Sequence, residues 1–480
     1  MDIKGKGQVF TPEWVVCELL DVVRYWGADI LRRHVMDNSC GKGAILIEVV
    51  RRYCYAWKRY ADKTRDLKSE LENYIHGIEI DKECYDACIH KLDVVAKEYG
   101  VSGVKWNILH ADAFSCVEKF EGKMDYVIGN PPYVRIRNIS EKVRGYIAKL
   151  KYTCGITDLY LTFMELGFRM LSHKGKMSLI TPSRWMMSTG GDKLRRFIFE
   201  SGWLRKIINM PDVRVFPGFN IKTAISVFDS SEGVKEVEFY MQNSDKEGDF
   251  YSVGSMPYAT CFIKGRIFFD TRYNIGKFRN ALLYDGRKYV RVKNAFATLA
   301  DNLFIGENIP SSKFNIRVVK SSTGKWTQCF FPYDKNGIVL SEDRIKEDSS
   351  VWEYLLENKD SLLKRKSDSD VFYAFGRSQG VKDVFKEKIS INCLIKDTTD
   401  IKVEIAPAGT GVYGGLYILI EDENLNVQNV KNILYNEEFL QYLRFLGKFK
   451  SGGYMTFSSI ELENYINYKI NEKIWSKQSV

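Results

Sequence analysis

Residues 124–133 read Met-Asp-Tyr-Val-Ile-Gly-Asn-Pro-Pro-Tyr, and this stretch decides which fold the chain is expected to adopt. Its first six residues form an apolar run of the kind that predicts a buried parallel strand. The run ends in Asn130-Pro131-Pro132-Tyr133, which no regular element can continue because two prolines fix φ and lack an N–H donor. Open α/β sheets bind ligands at the carboxyl ends of their strands, so we expect a ligand site at this turn.

The chemistry of the turn suits a planar amine. The Asn130 side chain and a rigid backbone carbonyl are two fixed acceptors that can hold both hydrogens of an exocyclic NH2 group. They draw the nitrogen lone pair out of the ring, so that the nitrogen can attack a methyl donor. Tyr133 can stack on the ring that carries the amine. The alternative interpretation is a proline-stiffened turn in which Asn130 is an ordinary turn residue.

The surrounding sequence predicts an α/β protein. Residues 1–235 alternate short apolar runs with helical patterns, as βαβ units of a mainly parallel sheet do. Strands are predicted at 35–37, 74–80, 106–110, 126–129, 177–181, 206–209 and 223–228. Turn-rich segments follow, and the later sequence mixes short strands with isolated helices. We predict a catalytic domain at 1–235, a connecting region at 236–290 and an α+β domain at 291–480.

Composition limits the class of protein without choosing its function. The chain has 480 residues, 45% of them hydrophobic, which is ample for two or three domains. We expect a cytoplasmic protein, because no apolar stretch could span a bilayer and no secretory signal is visible. Ten scattered cysteines and five histidines give no metal-ligand spacing, so no metal is expected. A net charge of +10 suits a polyanionic partner but does not require one.

Four segments before the turn carry residues suited to a nucleoside-containing ligand. Thr11 is a natural N-cap of a predicted helix. Asp37 precedes a glycine turn at Gly41, where a ligand can approach the backbone and a helix N-terminus attracts an anion. Asp37 can receive a cationic amine, Glu79 can accept two ribose hydroxyls, and Asp112 can accept an adenine amine. Each acid alone is more often an N-cap or loop residue, but together they predict S-adenosylmethionine as the cofactor.

The order of these motifs resembles that of the gamma-class N6-adenine DNA methyltransferases, the TaqI-like enzymes of type II restriction-modification systems. The resemblance implies a Rossmann-like S-adenosylmethionine-dependent methyltransferase sheet followed by an α+β target recognition domain. It also implies which residues line the cofactor pocket, with Gly41 in the glycine loop: Thr11, Asp37, Ser39, Glu79, Ile80, Asp112 and Ala113.

The same resemblance implies roles at the turn. Asn130 and Pro131 accept from the target amine, Pro132 belongs to the same catalytic turn, and Tyr133 stacks on the target base. Phe216 supplies a second aromatic ring to that base. Residues 157–165 resemble the helix that follows the turn in the family, and the glycine-rich pieces at 375–380, 412–417 and 451–454 resemble parts of its recognition domain.

The glycine loop departs from the pattern often found in the family, Asp-Pro-Ala-Cys-Gly-Ser-Gly. Asn38, Ser39 and Lys42 stand where that pattern has Pro, Ala and Ser. Gly41 and Gly43 remain, so we expect the turn to survive. Lys42 places a cation near the cofactor loop, and the sequence leaves its role open.

The expected reaction is transfer of the sulfonium methyl group to N6 of a flipped-out adenine. Cytosine N4, guanine N2 in RNA and the glutamine side-chain amide are other planar amines that the turn could hold. A non-catalytic DNA-binding subunit of the same fold is the alternative of a different class. The expected partner is double-stranded DNA, contacted by Arg377, Lys448 and Lys450, with no membrane involved. The oligomeric state is left open, and a monomer would suffice.

Overall fold

The computed structural model describes residues 11–62, 64–134, 140–153, 158–210, 215–216, 221–231, 233, 236–243 and 246–478. The chain divides into two compact units, Met1–Ile275 and Gly276–Val480. No helix within the described residues is long and apolar enough to cross a bilayer.

The first unit is an α/β layer structure. Its strands are β1 (Val35–Asp37), β2 (Ile75–Glu79), β3 (Asn107–His110), β4 (Met124–Gly129), β5 (Leu171–Pro182), β6 (Leu204–Met210), β7 (Thr223–Asp229), β8 (Glu236–Gln242), β9 (Phe250–Pro257), β10 (Phe262–Ile263) and β11 (Arg266–Ile267). Its helices are α1 (Glu13–Asp21), α2 (Ala44–Tyr60), α3 (Leu67–Tyr74), α4 (Lys82–Glu98), α5 (Ala113–Phe120), α6 (Glu141–Ala148), α7 (Leu159–Met170), α8 (Asp192–Ser201) and α9 (Tyr258–Cys261). Helices alternate with the first strands, as the sequence predicted.

One sheet of nine strands organises the described part of this unit, in the order β3-β2-β1-β4-β5-β7-β6-β8-β9. The first five strands in that order are parallel, and β7 runs antiparallel to both β5 and β6. Every residue of β1 and β2 is buried, as expected for parallel strands covered by helices on both faces. The carboxyl ends of β1 to β4 therefore meet at one edge of the sheet.

All seven predicted strands are present, and the α/β fold class is confirmed. The boundary between the units differs from the prediction. Within the predicted connecting region 236–290, β8 pairs with β6, and β9 pairs with β8. Those ladders extend the sheet, so residues 236–257 belong to the first unit, whose boundary lies at Ile275. Turn-rich composition marked the loops around β8 and β9 but concealed the strands between them.

The second unit mixes two small sheets with helices. Its strands are β12 (Val290–Asn294), β13 (Asn315–Lys320), β14 (Trp326–Phe330), β15 (Lys388–Ile391), β16 (Val403–Ala406), β17 (Gly411–Tyr413) and β18 (Leu416–Ile420). They form sheets of order β12-β18-β15-β16 and β14-β13-β17. The helices from the boundary onward are α10 (Arg272–Leu282), α11 (Asp301–Phe304), α12 (Glu342–Lys346), α13 (Ser349–Glu357), α14 (Lys359–Leu363), α15 (Val427–Leu434), α16 (Glu437–Leu446) and α17 (Ser459–Gln478).

Candidate active site

A cavity of about 390 Å³ opens at the sheet edge where β1 to β4 end. It exists because the strands are parallel and each is followed by a turn rather than by a continuing strand. The predicted cofactor and catalytic residues that line it are Thr11, Asp37, Ser39, Gly41, Glu79, Ile80, Asp112, Ala113, Asn130, Pro131 and Pro132. Segments separated by up to about a hundred residues in sequence thus share one space.

Glu79 holds the glycine turn in place. One carboxylate oxygen accepts a hydrogen bond from the Gly41 N–H at 2.8 Å, and the other accepts from the Asp81 N–H at 2.8 Å. Gly41 and Gly43 have φ of 53° and 81°, a backbone conformation that residues with a Cβ rarely adopt. A Cβ on Gly43 would also lie 2.7 Å from the Cys88 sulfur. The turn therefore needs these glycines, and Glu79 is already oriented toward the cavity.

Asp37 is a buried acid at the end of β1. Its side chain accepts a hydrogen bond from the Ser39 N–H at 3.1 Å, and the residue is 2% exposed. Burial raises the pKa of Asp37 to about 7, an effect that the Ser39 N–H opposes and the nearby Glu79 carboxylate reinforces. A cationic group in the cavity would favour the ionised form of this acid.

Asp112 and Ile80 form another part of the wall. Asp112 is the N-cap of α5 and accepts a hydrogen bond from the Phe114 N–H at 3.0 Å. The Ile80 side chain is 64% exposed although it is apolar, and it lines the cavity. Phe114 and Phe163 also line it, with their rings edge to face at 5.6 Å. An apolar wall with an acid at its edge suits a planar, amine-bearing ring.

Asn130 is anchored to Thr11, which lies two residues before α1. The sequence predicted Thr11 as the N-cap of α1, but the N-cap is Pro12, and no side chain among the described residues caps this helix. The Asn130 Nδ2 donates a hydrogen bond to the Thr11 hydroxyl at 3.1 Å. With Nδ2 toward Thr11, Oδ1 is the acceptor at the other end of the amide. Pro131 is buried directly after it. The turn and the acids at the ends of β1, β2 and β3 therefore border the same cavity.

Tyr133 is placed differently from the rest of the turn, since it is not part of the cavity lining formed by the described residues. Its hydroxyl donates a hydrogen bond to the Ile180 carbonyl at 3.1 Å. Burial raises the pKa of Tyr133 well above its ordinary value, so the hydroxyl stays protonated. Its ring meets Phe216 edge to face with centroids 5.9 Å apart, and Tyr160 at 6.2 Å. Phe216 is 1% exposed and touches Tyr133 rather than facing it across a gap.

The basic residues predicted to contact DNA lie in the second unit, and two of them are ion-paired there. Arg377 pairs with Asp368, and Lys448 lies 2.7 Å from the buried Glu461 carboxylate. Lys450 is exposed. The three residues therefore have different surroundings. Arg377 and Lys448 have acidic partners, that of Lys448 being buried, whereas Lys450 faces solvent.

Sequence reasoning missed several residues that line the cavity. Asn38 was noted only as a departure from a family pattern, yet it is buried in the lining. Cys84 and Lys91 also line it, and their spacing of seven residues on α4 is the only sequence signal that groups them. Among the described residues, no group of three or more His, Cys, Asp or Glu side chains could hold a metal ion.

The chain is similar to known proteins of restriction-modification systems. Residues 41–216 match the model of the Eco57I restriction-modification methylase family. The type II methyltransferase M.BstVI from Geobacillus stearothermophilus is 31% identical over 214 residues, which are 42% of this chain and 38% of that relative. The type II methyltransferase M.HincII from Haemophilus influenzae is 22% identical over 384 residues, covering 74% of this chain and 76% of the relative.

Among solved structures, the type IIL restriction-modification enzyme MmeI, determined in complex with DNA, superposes with a TM-score of 0.63. The match covers 94% of this chain and 65% of MmeI at 13% identity, so it concerns the fold alone. The family match supports S-adenosylmethionine as the cofactor, as the sequence predicted. Residues 41–216, which carry the glycine turn, the acids of β2 and β3 and the Asn-Pro-Pro-Tyr turn, thus relate this chain to the Eco57I-like restriction-modification methylases.

Proposed function

We propose that this chain is a site-specific DNA adenine-N6 methyltransferase of a restriction-modification system, acting in the cytoplasm. The observation that carries the proposal is that Asn130 and Pro131 line the same cavity as Asp37, Glu79 and Asp112. Acceptors that can hold an amine and acids that can hold a nucleoside thus border one space. Methyl transfer requires donor and acceptor to be held together in line, which is most of the catalysis in such reactions.

The cavity residues fit S-adenosylmethionine by their chemistry. Glu79 is buried at a strand end, where a carboxylate can accept from ribose hydroxyls. Ile80 offers an exposed apolar surface for the adenine, and Asp112 can accept from its amine. Asp37 can pair with the ammonium group. When bound, the cofactor supplies an activated methyl group on a positively charged sulfur.

The chain's own groups would then prepare the target nitrogen. Asn130 Oδ1 and the Pro131 carbonyl would accept the two hydrogens of the adenine amine, which localises the lone pair on the nitrogen. The 3.1 Å hydrogen bond from Asn130 Nδ2 to the Thr11 hydroxyl would help to position the amide. The surplus proton can leave after methylation, because the methylated amine is a strong acid until it loses that proton.

A base inside a duplex cannot reach this cavity, so the target adenine must leave the helix. Tyr133 is the ring of the turn that would stack on the base, and stacking of this kind offsets part of the lost base stacking. Because Tyr133 and Phe216 are in direct edge-to-face contact, a base placed between them would require the two rings to separate. If Phe216 keeps its buried position, Tyr133 alone provides the stacking face.

We assign DNA sequence recognition to the second unit. The alignment with M.HincII is 384 residues long, more than the first unit contains, so the similarity extends beyond the catalytic fold. The neighbour MmeI was solved with DNA bound, and its superposition covers most of this chain. Choosing one adenine among many needs base-edge contacts, which the residues of the methyl-transfer cavity do not supply.

The test is methyl transfer in vitro from isotope-labelled S-adenosylmethionine to plasmid DNA from a host without DNA methylation. The DNA is digested to nucleosides and analysed by mass spectrometry. We expect label in N6-methyldeoxyadenosine and none with an Asn130→Ala variant. Label in N4-methyldeoxycytidine would replace adenine by cytosine as the target. Label only in RNA or protein added in parallel reactions, or no label at all, would refute the proposal.

A further inference from the structure

Asn38 is a buried polar residue that the proposed reaction does not yet use. It stands between Asp37 and Ser39 in the glycine turn, is 2% exposed and lines the cavity. A side-chain amide has two donor hydrogens and one acceptor oxygen, and a buried one is normally satisfied at both ends. Which end is satisfied here shows what the cavity requires of its ligand.

The orientation of the amide follows from the hydrogen bond that its NH2 group makes with a described residue. Asn38 Nδ2 donates to the backbone carbonyl of Phe163 at 3.4 Å. A carbonyl can only accept, so the NH2 end must face Phe163 and the oxygen must point away from it. Within the described part of the chain Asn38 Oδ1 has no hydrogen-bond partner, although it is fully buried. The unpaired end of the group is therefore an acceptor.

A second acceptor lies beside it. A Cβ built on Gly129 would lie 3.5 Å from Asp37 Oδ1 and 3.8 Å from Asn38 Oδ1, so the two oxygens lie near one point. Both residues also line the cavity. Two convergent acceptors, one of them on a carboxylic acid, match a group that carries several N–H hydrogens and a positive charge.

We propose that Asn38 is a specificity-determining residue for the amino-acid end of the cofactor, with its Oδ1 and the Asp37 carboxylate together accepting hydrogens from the α-ammonium group. This inference rests on the proposed function, since it takes S-adenosylmethionine to be the ligand. The amide supplies a second, uncharged acceptor beside the Asp37 carboxylate. Asn38 would thus favour ligands that keep the amino acid over adenosine thioethers that lack it.

The test compares two ligands that share adenosine and a neutral thioether sulfur. S-adenosylhomocysteine has the amino-acid end, and 5′-methylthioadenosine lacks it. Dissociation constants of the full-length chain are measured by calorimetry at one pH for the wild type, Asn38→Leu and Ser178→Ala. Leucine is close in size to asparagine but has no acceptor. Ser178→Ala is the matched control, because it removes a buried hydrogen bond, to the Leu19 carbonyl at 2.6 Å, from the same sheet.

We expect Asn38→Leu to weaken the binding of S-adenosylhomocysteine roughly 10- to 100-fold, the usual loss for a hydrogen bond to a charged group. The dissociation constant of 5′-methylthioadenosine should change less than about threefold. Ser178→Ala should shift neither ligand. Thermal unfolding shows whether Asn38→Leu is folded, and Asn38→Ala replaces it if it is not.

Equal weakening of both ligands would make Asn38 a structural residue and overturn the inference, while leaving the proposed function in place. Unchanged binding of both, with slower methyl transfer, would assign Asn38 to the target amine instead and would also overturn it. Failure of the wild type to bind S-adenosylhomocysteine would refute the proposed cofactor itself, and with it this inference.

Discussion

The acids of the first unit and the basic residues of the second illustrate two kinds of sequence signal. Asp37 and Glu79 end parallel strands, Asp112 follows one, and all three border one cavity. Lys448 and Lys450 lie two residues apart, yet one is tied to a buried acid and the other is exposed. The end of a strand determines where the next side chains lie, so their location can be predicted from sequence. The location and role of a basic side chain on a loop cannot be predicted until its interaction partner is known.

The practical lesson is that a basic residue in this chain should be tested for stability before it is assigned to DNA. Glu461 is 4% exposed, and burial alone would raise its pKa. The Lys448 ammonium and the Ser458 donors outweigh that effect and lower the pKa below its ordinary value.

Asn130→Ala should have the largest effect, and on turnover alone. Removing an acceptor that acts in the transition state typically costs about 3–4 kcal/mol, or 10²- to 10³-fold in rate. The affinity for S-adenosylmethionine should change little. The Asn130 side chain bonds Thr11 and is proposed to contact the target amine, not the cofactor. Single-turnover methyl transfer and calorimetry separate the two quantities. A parallel loss of affinity and rate would mean that Asn130 only shapes the turn.

Asp37→Asn should stabilise the protein without ligand and abolish its binding of S-adenosylmethionine. The pKa of Asp37 rises from 3.8 to about 7 on folding, so the stability that this group contributes is fully present below about pH 4 and is lost as pH rises from there to about 7. Asparagine does not ionise and avoids that loss, which reaches up to about 4 kcal/mol above pH 7. Urea unfolding at pH 5.5 and pH 8 should show the variant gaining on the wild type at both pH values, with the larger gain at pH 8.

The same acid predicts how cofactor affinity of the wild type varies with pH. Asp37 must lose its proton to pair with an ammonium group, so the affinity should fall as pH drops below about 7. Titrations of S-adenosylhomocysteine between pH 5.5 and pH 8 measure this directly. A flat profile in the wild type would show that Asp37 is not the partner of a cationic group.

Glu79→Ala should weaken cofactor binding more than Asp112→Ala does. Glu79 is 7% exposed, and its loss removes the acceptor of the Gly41 and Asp81 N–H groups as well as that of the ribose hydroxyls, at about 2–3 kcal/mol of cofactor binding. Asp112 is only half-buried, and its loss would remove one hydrogen bond to the adenine amine, at about 1 kcal/mol. Calorimetry on both variants gives the order, and a reversed order would contradict the assignment of Glu79 to the ribose.

Lys448→Ala and Lys450→Ala form a matched pair with the smallest effects. Lys448→Ala should lower the free energy of unfolding by about 1–2 kcal/mol, since Glu461 keeps its Ser458 donors but loses its cation. Lys450→Ala should leave stability unchanged and reduce the salt dependence of DNA binding by about one phosphate contact. Urea unfolding and DNA titrations at several salt concentrations test the pair. Equal destabilisation by the two changes would remove the distinction between them.

Much of the first unit could be predicted because periodicity and turn chemistry are local. The parallel strands, the glycine turn and the acids at the strand ends follow from residues within a few positions of each other. Asn38 could not be predicted, because its role depends on Phe163, 125 residues later in the chain. The contact of Phe216 with Tyr133 and the burial of Glu461 also depend on distant packing that no short pattern encodes.

The most direct test of the central claim is a crystal structure of the protein with S-adenosylhomocysteine bound. We predict that the ribose hydroxyls lie within hydrogen-bonding distance of Glu79 and that the adenine contacts Ile80 and Asp112. The thioether sulfur should face Asn130, so that donor and target amine share one cavity. A ligand bound away from the ends of β1 to β4, or bound there with its sulfur directed away from Asn130, would contradict the claim.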